Sequence, residues 1–253
     1  MPLRLPRPTW GRSFAIIGVS SLIVAISFVL WANTPQGALM PEVAAALQDD
    51  PLVDVSAADY LLFMPQGQTP TVGYVLYPGG RVQAEAYAPL ARAIAERGYL
   101  VAIVYVPLNL AFFNVGAAQA VIDDHPEIVA WAVGGHSLGG VASSLFAAGQ
   151  PDKVRGLVIM ASYPANNALA NRDDLRVVSI YGTEDGLAKP EDILASAKDL
   201  PPGAQFVALE GGNHSQFGWY GDQPGDKPAA LSRQEQQARI VEATVDLLTQ
   251  LES

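Results

Sequence analysis

The stretch from Ile128 to Gly140, IVAWAVGGHSLGG, constrains the fold of this chain more than any other. An apolar run enters Gly135-His136-Ser137-Leu138-Gly139 and leaves as a small-residue segment of helical character, 137–149. A serine in so tight a turn needs neighbours without Cβ atoms, because the strand and helix backbones nearly touch there. Its hydroxyl then stands clear of the sheet above a helix N-terminus, where negative charge is favoured. The bland alternative is a bystander serine in a glycine-rich turn, and the strand–turn–helix setting argues against it.

The rest of the chain alternates in the same way. Apolar, β-rich runs are expected to form strands at 60–64, 72–77, 100–106, 128–133, 157–161, 177–181 and 205–209. Between them, three- and four-residue periodicity predicts helices at 84–97, 115–123, 137–149, 191–200 and 233–251. Continuous apolar strands separated by helices imply parallel crossovers that cover both faces of a sheet. The expected architecture is a mostly parallel α/β sheet of about six to eight strands.

A serine nucleophile needs a base, and the chain has three histidines. His136 lies inside the turn and should point away from Ser137 as a packing residue. His125, in DDHPE, reads as a solvated residue at a helix end. His214, in EGGNHS, directly follows an apolar strand, where catalytic groups collect in open α/β sheets. An acid is expected between serine and histidine in chain order. The string VVSIYGTEDG supplies Asp185 on a turn after a strand, with Glu184 and then Glu210 as alternatives. Oxyanion donors are expected from the backbone N–H of Leu138, after the nucleophile, and of Gly80 in Tyr77-Pro78-Gly79-Gly80-Arg81. Arg81 is the adjacent possibility at that loop.

At the N-terminus, Phe14 to Trp31 carries no charged residue, and Arg4, Arg7 and Arg12 precede it. About 20 apolar residues cross a bilayer's hydrocarbon core, and the arginines fit a cytoplasmic flank. The expected organisation is a basic tail at 1–13, a transmembrane signal-anchor at 14–32, a linker at 33–50 and one domain at 51–253. A cleaved signal peptide, giving a secreted protein, is the alternative. Either way the domain is exported; with the anchor retained it is tethered on the extracytoplasmic side of the cell membrane.

Composition narrows the function classes. Hydrophobic residues make up 50% and charged residues 16% of the 253, against roughly 25% charged in ordinary domains, which excludes intrinsic disorder. The net charge of −10 argues against a nucleic-acid partner. With no cysteine there is no disulfide, thiolate metal site or cysteine nucleophile. No metal cluster or nucleotide-binding loop is visible, so no cofactor is expected.

The order GHSLG, Asp185, His214, with PGG upstream, resembles the serine hydrolases of the α/β-hydrolase superfamily. Within it the chain is most similar to the small, lidless, dienelactone-hydrolase-like branch, with serine where dienelactone hydrolases carry cysteine. The string NHSQFGWYGDQPGD also resembles membrane-anchored bacterial hydrolases. The resemblance implies an α/β-hydrolase fold of about eight strands without a large lid, and a Ser137–His214–Asp185 triad. It implies hydrolysis of a small-molecule acyl substrate, a carboxylic ester or thioester. A non-catalytic hydrolase-fold binding protein and a peptidase acting through the same triad are the alternatives. Phe112 and Phe113, beside Leu108 and Leu110, are candidate substrate-binding walls, as are Phe217 and Trp219, beside Tyr220. Arg81 is a further candidate contact.

Overall fold

Eight strands line up in one sheet in the computed structural model, which describes residues 10–150 and 152–252. They are β1 (Val53–Ala57), β2 (Tyr60–Pro65), β3 (Val72–Tyr77), β4 (Leu100–Val104), β5 (Ala130–His136), β6 (Val154–Met160), β7 (Arg176–Gly182) and β8 (Gln205–Leu209). The order is β1-β2-β4-β3-β5-β6-β7-β8. β2 pairs antiparallel with β1 and β4, and every other pairing is parallel. The helices are α1 (Trp10–Ala32), α2 (Glu42–Ala46), α3 (Ala88–Ala95), α4 (Ala118–Asp124), α5 (Leu138–Gly149), α6 (Pro190–Ala195) and α7 (Arg233–Thr249).

Side-chain alternation explains why the central strands read as unbroken apolar runs. Along β3, Tyr74 and Leu76 enter a core shared with α2, α3 and α7, while Val75 and Tyr77 enter a second core shared with α4 and α5. β4 does the same, with Val101 and Ile103 on one side and Leu100, Ala102 and Val104 on the other. Both faces are covered, so both sets of positions must be apolar. β1 escaped the sequence reading because it is an edge strand with one fully buried residue, Val53, and has no apolar run to signal it. Helices expected to be continuous also divide: 84–87 and 111–117 are 3₁₀ turns that lead into α3 and α4.

The segment at 33–50, expected to be a linker, is instead bound to the domain. Gln36 N–H donates to Arg81 O, Leu39 N–H to Trp219 O, and Ala38 N–H to Gln83 Oε1. Val43 of α2 is fully buried. Arg92 of α3 donates to the carbonyls of Ala46 and Gln48 and pairs with Asp50 at 2.8 Å. These partners lie 40 or more positions away in the chain, so no local periodicity could reveal them.

α1 begins before the expected anchor and ends with it at Ala32. Among the described residues no helix is long and apolar enough to cross a membrane. The side chains described on α1 are Phe14 and those from Ile17 onward. Residues 17–32 rise about 24 Å as a helix, short of a hydrocarbon core of about 30 Å. A span over 14–32 therefore gains no support from these residues. Arg4 and Arg7 of the basic tail lie outside the described residues.

Truncating Arg92 tests the docking of 33–50. Arg92→Ala is expected to lower stability by about 0.5–1.5 kcal/mol, the usual net worth of a hydrogen bond, since its acceptors on Ala46, Gln48 and Asp50 are only partly buried or exposed. Equilibrium urea denaturation reads the loss, and limited proteolysis should show faster cleavage within 33–50.

Candidate active site

The turn after β5 is built by close backbone contact. A Cβ on Gly135 would stand 2.2 Å from the carbonyl carbon of Gly139, and one on Gly139 would stand 2.2 Å from Tyr77 O. Only glycine fits at either position, so β5, α5 and the end of β3 converge on Ser137. Ser137 itself has φ 51° and ψ −118°, a conformation that L-residues rarely adopt and that costs about 1–3 kcal/mol. The surroundings hold it there: Ser137 N–H donates to Met160 O, and its carbonyl accepts from Gly140 N–H at 2.9 Å and from Ser162 Oγ at 2.7 Å.

Asp185 and His214 meet across the ends of β7 and β8. Asp185 Oδ2 lies 2.8 Å from His214 Nδ1, and both side chains are buried. Asp185 Oδ1 accepts the N–H groups of Leu187 and Ala188, which fixes the carboxylate in one orientation. His214 Nε2 is buried without a hydrogen-bond partner among the described residues. Glu184 faces outward, 3.9 Å from Lys227 Nζ, and Glu210 is exposed. Ser137 and His214 open onto one cleft of about 330 Å³, together with Leu138, Val141, Ala161, Ser162, Tyr163, Leu187, Ala188 and Gln223.

The loop 77–81, expected to supply an oxyanion donor, packs over the start of α5, where Gly80 faces the Leu138 side chain. Neither the Gly80 nor the Leu138 backbone N–H donates to a protein acceptor among the described residues. Gly79 N–H is already engaged, donating to the Tyr87 hydroxyl at 3.0 Å. Tyr87 shares a second hydrogen bond, 2.9 Å long, with His136 Nδ1. His136 is fully buried, stacked on Phe217 with ring centroids 5.5 Å apart. Its burial, and secondarily the charge of His214 beside it, hold the imidazole well below the usual histidine range, so it stays neutral at pH 7. It packs beneath the turn, as its place in the sequence suggests.

The profile of the alpha/beta hydrolase family matches residues 73–238, more than half of the chain. The chain belongs to the alpha/beta hydrolase family. A search of curated proteins finds no match. Among solved structures, Est1E from Butyrivibrio proteoclasticus is similar at 14% identity and a TM-score of 0.56, covering 78% of this chain and 99% of that one. An esterase domain from a Rhodothermus marinus protein is similar at 15% identity and a TM-score of 0.58, covering 74% and 90%. TT1662 from Thermus thermophilus is similar at 13% identity and a TM-score of 0.56, covering 78% and 98%. At these identities the likeness concerns the fold.

In this family member the expected pocket walls lie elsewhere. Phe112 and Phe113 are exposed on the 111–117 turn and do not line the cleft. Phe217 is consumed in stacking on His136, and Trp219 is buried against the core, its backbone N–H donating to Ala86 O. Arg81 turns away to the end of α1, where its guanidinium donates to Trp31 O and Thr34 O. Apolar residues flanking a catalytic motif read alike whether they face a pocket or anchor their loop. Tyr163 and Leu187 are the exposed apolar walls of the cleft, and no sequence signal marks them. His125, read as solvated, shares hydrogen bonds with Tyr60 and Glu127. Among the described residues no group of three or more His, Asp and Glu residues is placed to hold a metal ion.

The support of the His214 loop also went unread in the sequence. Asp226 Oδ2 accepts Ser215 N–H and Oγ, while Oδ1 accepts Gly186 N–H and, at 3.3 Å, His214 N–H. One carboxylate therefore ties the loop of Asp185 to the loop of His214. From behind, Gln236 of α7 pairs with both backbone groups of Asn213, at 3.0 and 2.8 Å. Partial burial pushes the Asp226 carboxyl up, but the donors on Ser215, Gly186 and His214 outweigh it and leave the group below its ordinary value.

Asp226→Ala is expected to cost about 1–3 kcal/mol, because several partly buried donors lose their acceptor. A carboxylate with a lowered folded-state pKa stabilises fully above the ordinary range, near pH 4, and loses that contribution as pH falls through the lowered value. The stability gap between wild type and Asp226→Ala, measured by denaturation across pH, should be complete at pH 7 and shrink on acidification.

Proposed function

We propose that the chain is a serine hydrolase that cleaves a carboxylic ester or thioester through Ser137, His214 and Asp185. The observation that carries this reading is the buried 2.8 Å contact between Asp185 and His214, with Nε2 of that histidine unpartnered in a cleft shared with Ser137. His214 takes the Ser137 proton as Oγ attacks the carbonyl, and Asp185 orients the imidazole and stabilises its charged form. The free N–H groups of Gly80 and Leu138 receive the oxyanion, each such donor being worth about 10²–10³ in rate. Tyr87 holds the Gly79 peptide and so positions the loop that carries Gly80. Collapse expels the alcohol or thiol, protonated by His214. Water, deprotonated by the same histidine, then releases the acid.

The wall residues Leu187, Val141 and Tyr163 favour a small or medium acyl group over a long polar polymer. The connection from β6 to β7 carries a single 3₁₀ turn, Asn167–Leu169, which supports the lidless, dienelactone-hydrolase-like form. We further propose that 14–32 anchors the chain in the cell membrane, with the domain on the extracytoplasmic side. Its uncharged sequence and the three arginines before it support this.

Fluorophosphonate labelling tests the nucleophile. The wild type should label and Ser137→Ala should not; labelling that survives the substitution removes Ser137 from the mechanism. A wild type that never labels favours a binding protein on a hydrolase fold. Asp185→Asn should lower kcat by roughly 10⁴, as when a triad acid loses its charge. For the anchor, the protein should stay with membranes through carbonate extraction, and a mature N-terminus near Asn33 would show cleavage instead.

A further inference from the structure

The 3₁₀ turn 111–117 leaves Phe112 and Phe113 53% and 55% exposed, although neither serves the cleft. Two adjacent bare phenylalanines are unusual on a chain with this much acidic charge. The connection that carries them, from Tyr105 to Ala117, also contains no Asp, Glu, Lys or Arg.

The turn is fastened to the end of α1. The Phe113 ring meets that of Phe28 edge-on at 6.4 Å, and Phe28 packs on Trp31 at 5.9 Å. Asn109 Nδ2 donates to Ala32 O, and the Arg81 guanidinium donates to Trp31 O while lying 4.3 Å over the Trp31 ring. These polar groups satisfy the last carbonyls of the helix and sit where a membrane interface would place them. Phe28 precedes Ala32 by four residues, about 6 Å along the helix axis. A side chain level with Phe28 therefore lies within the 5–10 Å depth that interfacial apolar groups reach.

We infer that Phe112 and Phe113 insert into the lipid surface that holds α1, so that the domain meets the bilayer through this turn as well as through the helix. The inference rests on the membrane attachment proposed for α1. A lipid occupant fits better than a protein one because the patch is continuous with the bare apolar surface of α1, and the charged group beside it, Arg81, is already engaged by Trp31 and Thr34.

The absence of native cysteine makes the test clean. Ile23→Cys, Phe112→Cys, Phe113→Cys and Asp246→Cys would each be labelled with an environment-sensitive fluorophore in the full chain. The labelled proteins are then reconstituted into phosphatidylcholine vesicles with brominated acyl chains. Labels at 23, 112 and 113 should be quenched at least twofold relative to unbrominated vesicles, and the label at 246 should not. Phe112→Cys keeps the Phe28–Phe113 contact and guards against a fault peculiar to Phe113→Cys. Quenching at 23 without quenching at 112 or 113 overturns this inference and leaves the anchor standing. Quenching at none of the three overturns the anchor and the inference together. A protein partner covering the patch would bring no lipid bromine to the labels and counts against the inference.

Discussion

The site depends on how closely α5 approaches the sheet. Gly139 lies against the carbonyls of Tyr77 and Pro78, and Gly135 against the backbone of Gly139, with no room for a Cβ at either place. That contact does three things at once. It forces Ser137 into its rare backbone conformation, brings the Leu138 N–H to the end of β3, and sets Gly80 over the first turn of the helix. Ser137 and the N–H groups of Leu138 and Gly80, the proposed nucleophile and oxyanion donors, are thus registered by main chain alone. Such positioning is stiffer than side-chain packing, because a backbone can yield only by moving whole elements.

The opposite half of the site is positioned by side chains, and polar ones. His214 sits on a loop with little apolar anchoring of its own, yet it must hold one orientation toward Asp185. Asp226 closes the front of that loop, while Gln236 and Gln237 close the back by binding the backbone of Asn213 and Gln216. Arg233 adds the carbonyls of Ser215 and Gly218. A buried polar network rigidifies only when its members are satisfied. Here the backbone of the loop is satisfied and His214 Nε2 is not. Of the atoms left without a partner, His214 Nε2 is the one beside the cleft shared with Ser137.

This division also explains what could be read in the sequence. The turn around Ser137 is local: five consecutive residues fix its geometry, so GHSLG carries its own meaning. Asp185 and His214 were legible because each follows an apolar strand at a glycine-rich turn. The central strands were legible because both their faces are buried. Asp226, Gln236 and Tyr87 act across eight or more residues with no periodicity, and an isolated Asp, Gln or Tyr carries no mark of such use. The aromatic residues misled for a related reason. Phe217 and Trp219 flank His214 in sequence, but alternating directions along the loop send them into the core while Leu187 and Tyr163, from other loops, face the cleft.

The proposed contact with lipid sets two forces against each other. After its first three arginines the chain carries 12 basic and 25 acidic residues, so an anionic bilayer would repel the domain. At physiological salt that repulsion is largely screened beyond about 8 Å. Burying a phenylalanine fully is worth roughly 1.5–3 kcal/mol, and half of that remains available to each of Phe112 and Phe113. Tethering by α1 removes most of the entropic cost of bringing the turn to the surface, because the second contact becomes intramolecular. On the proposed contact, charge keeps the acidic body off the headgroups while the exposed turn that carries Phe112 and Phe113 meets them. The neighbouring Leu110 packs near Gly80, so the surface proposed to meet lipid adjoins the loop proposed to hold the oxyanion.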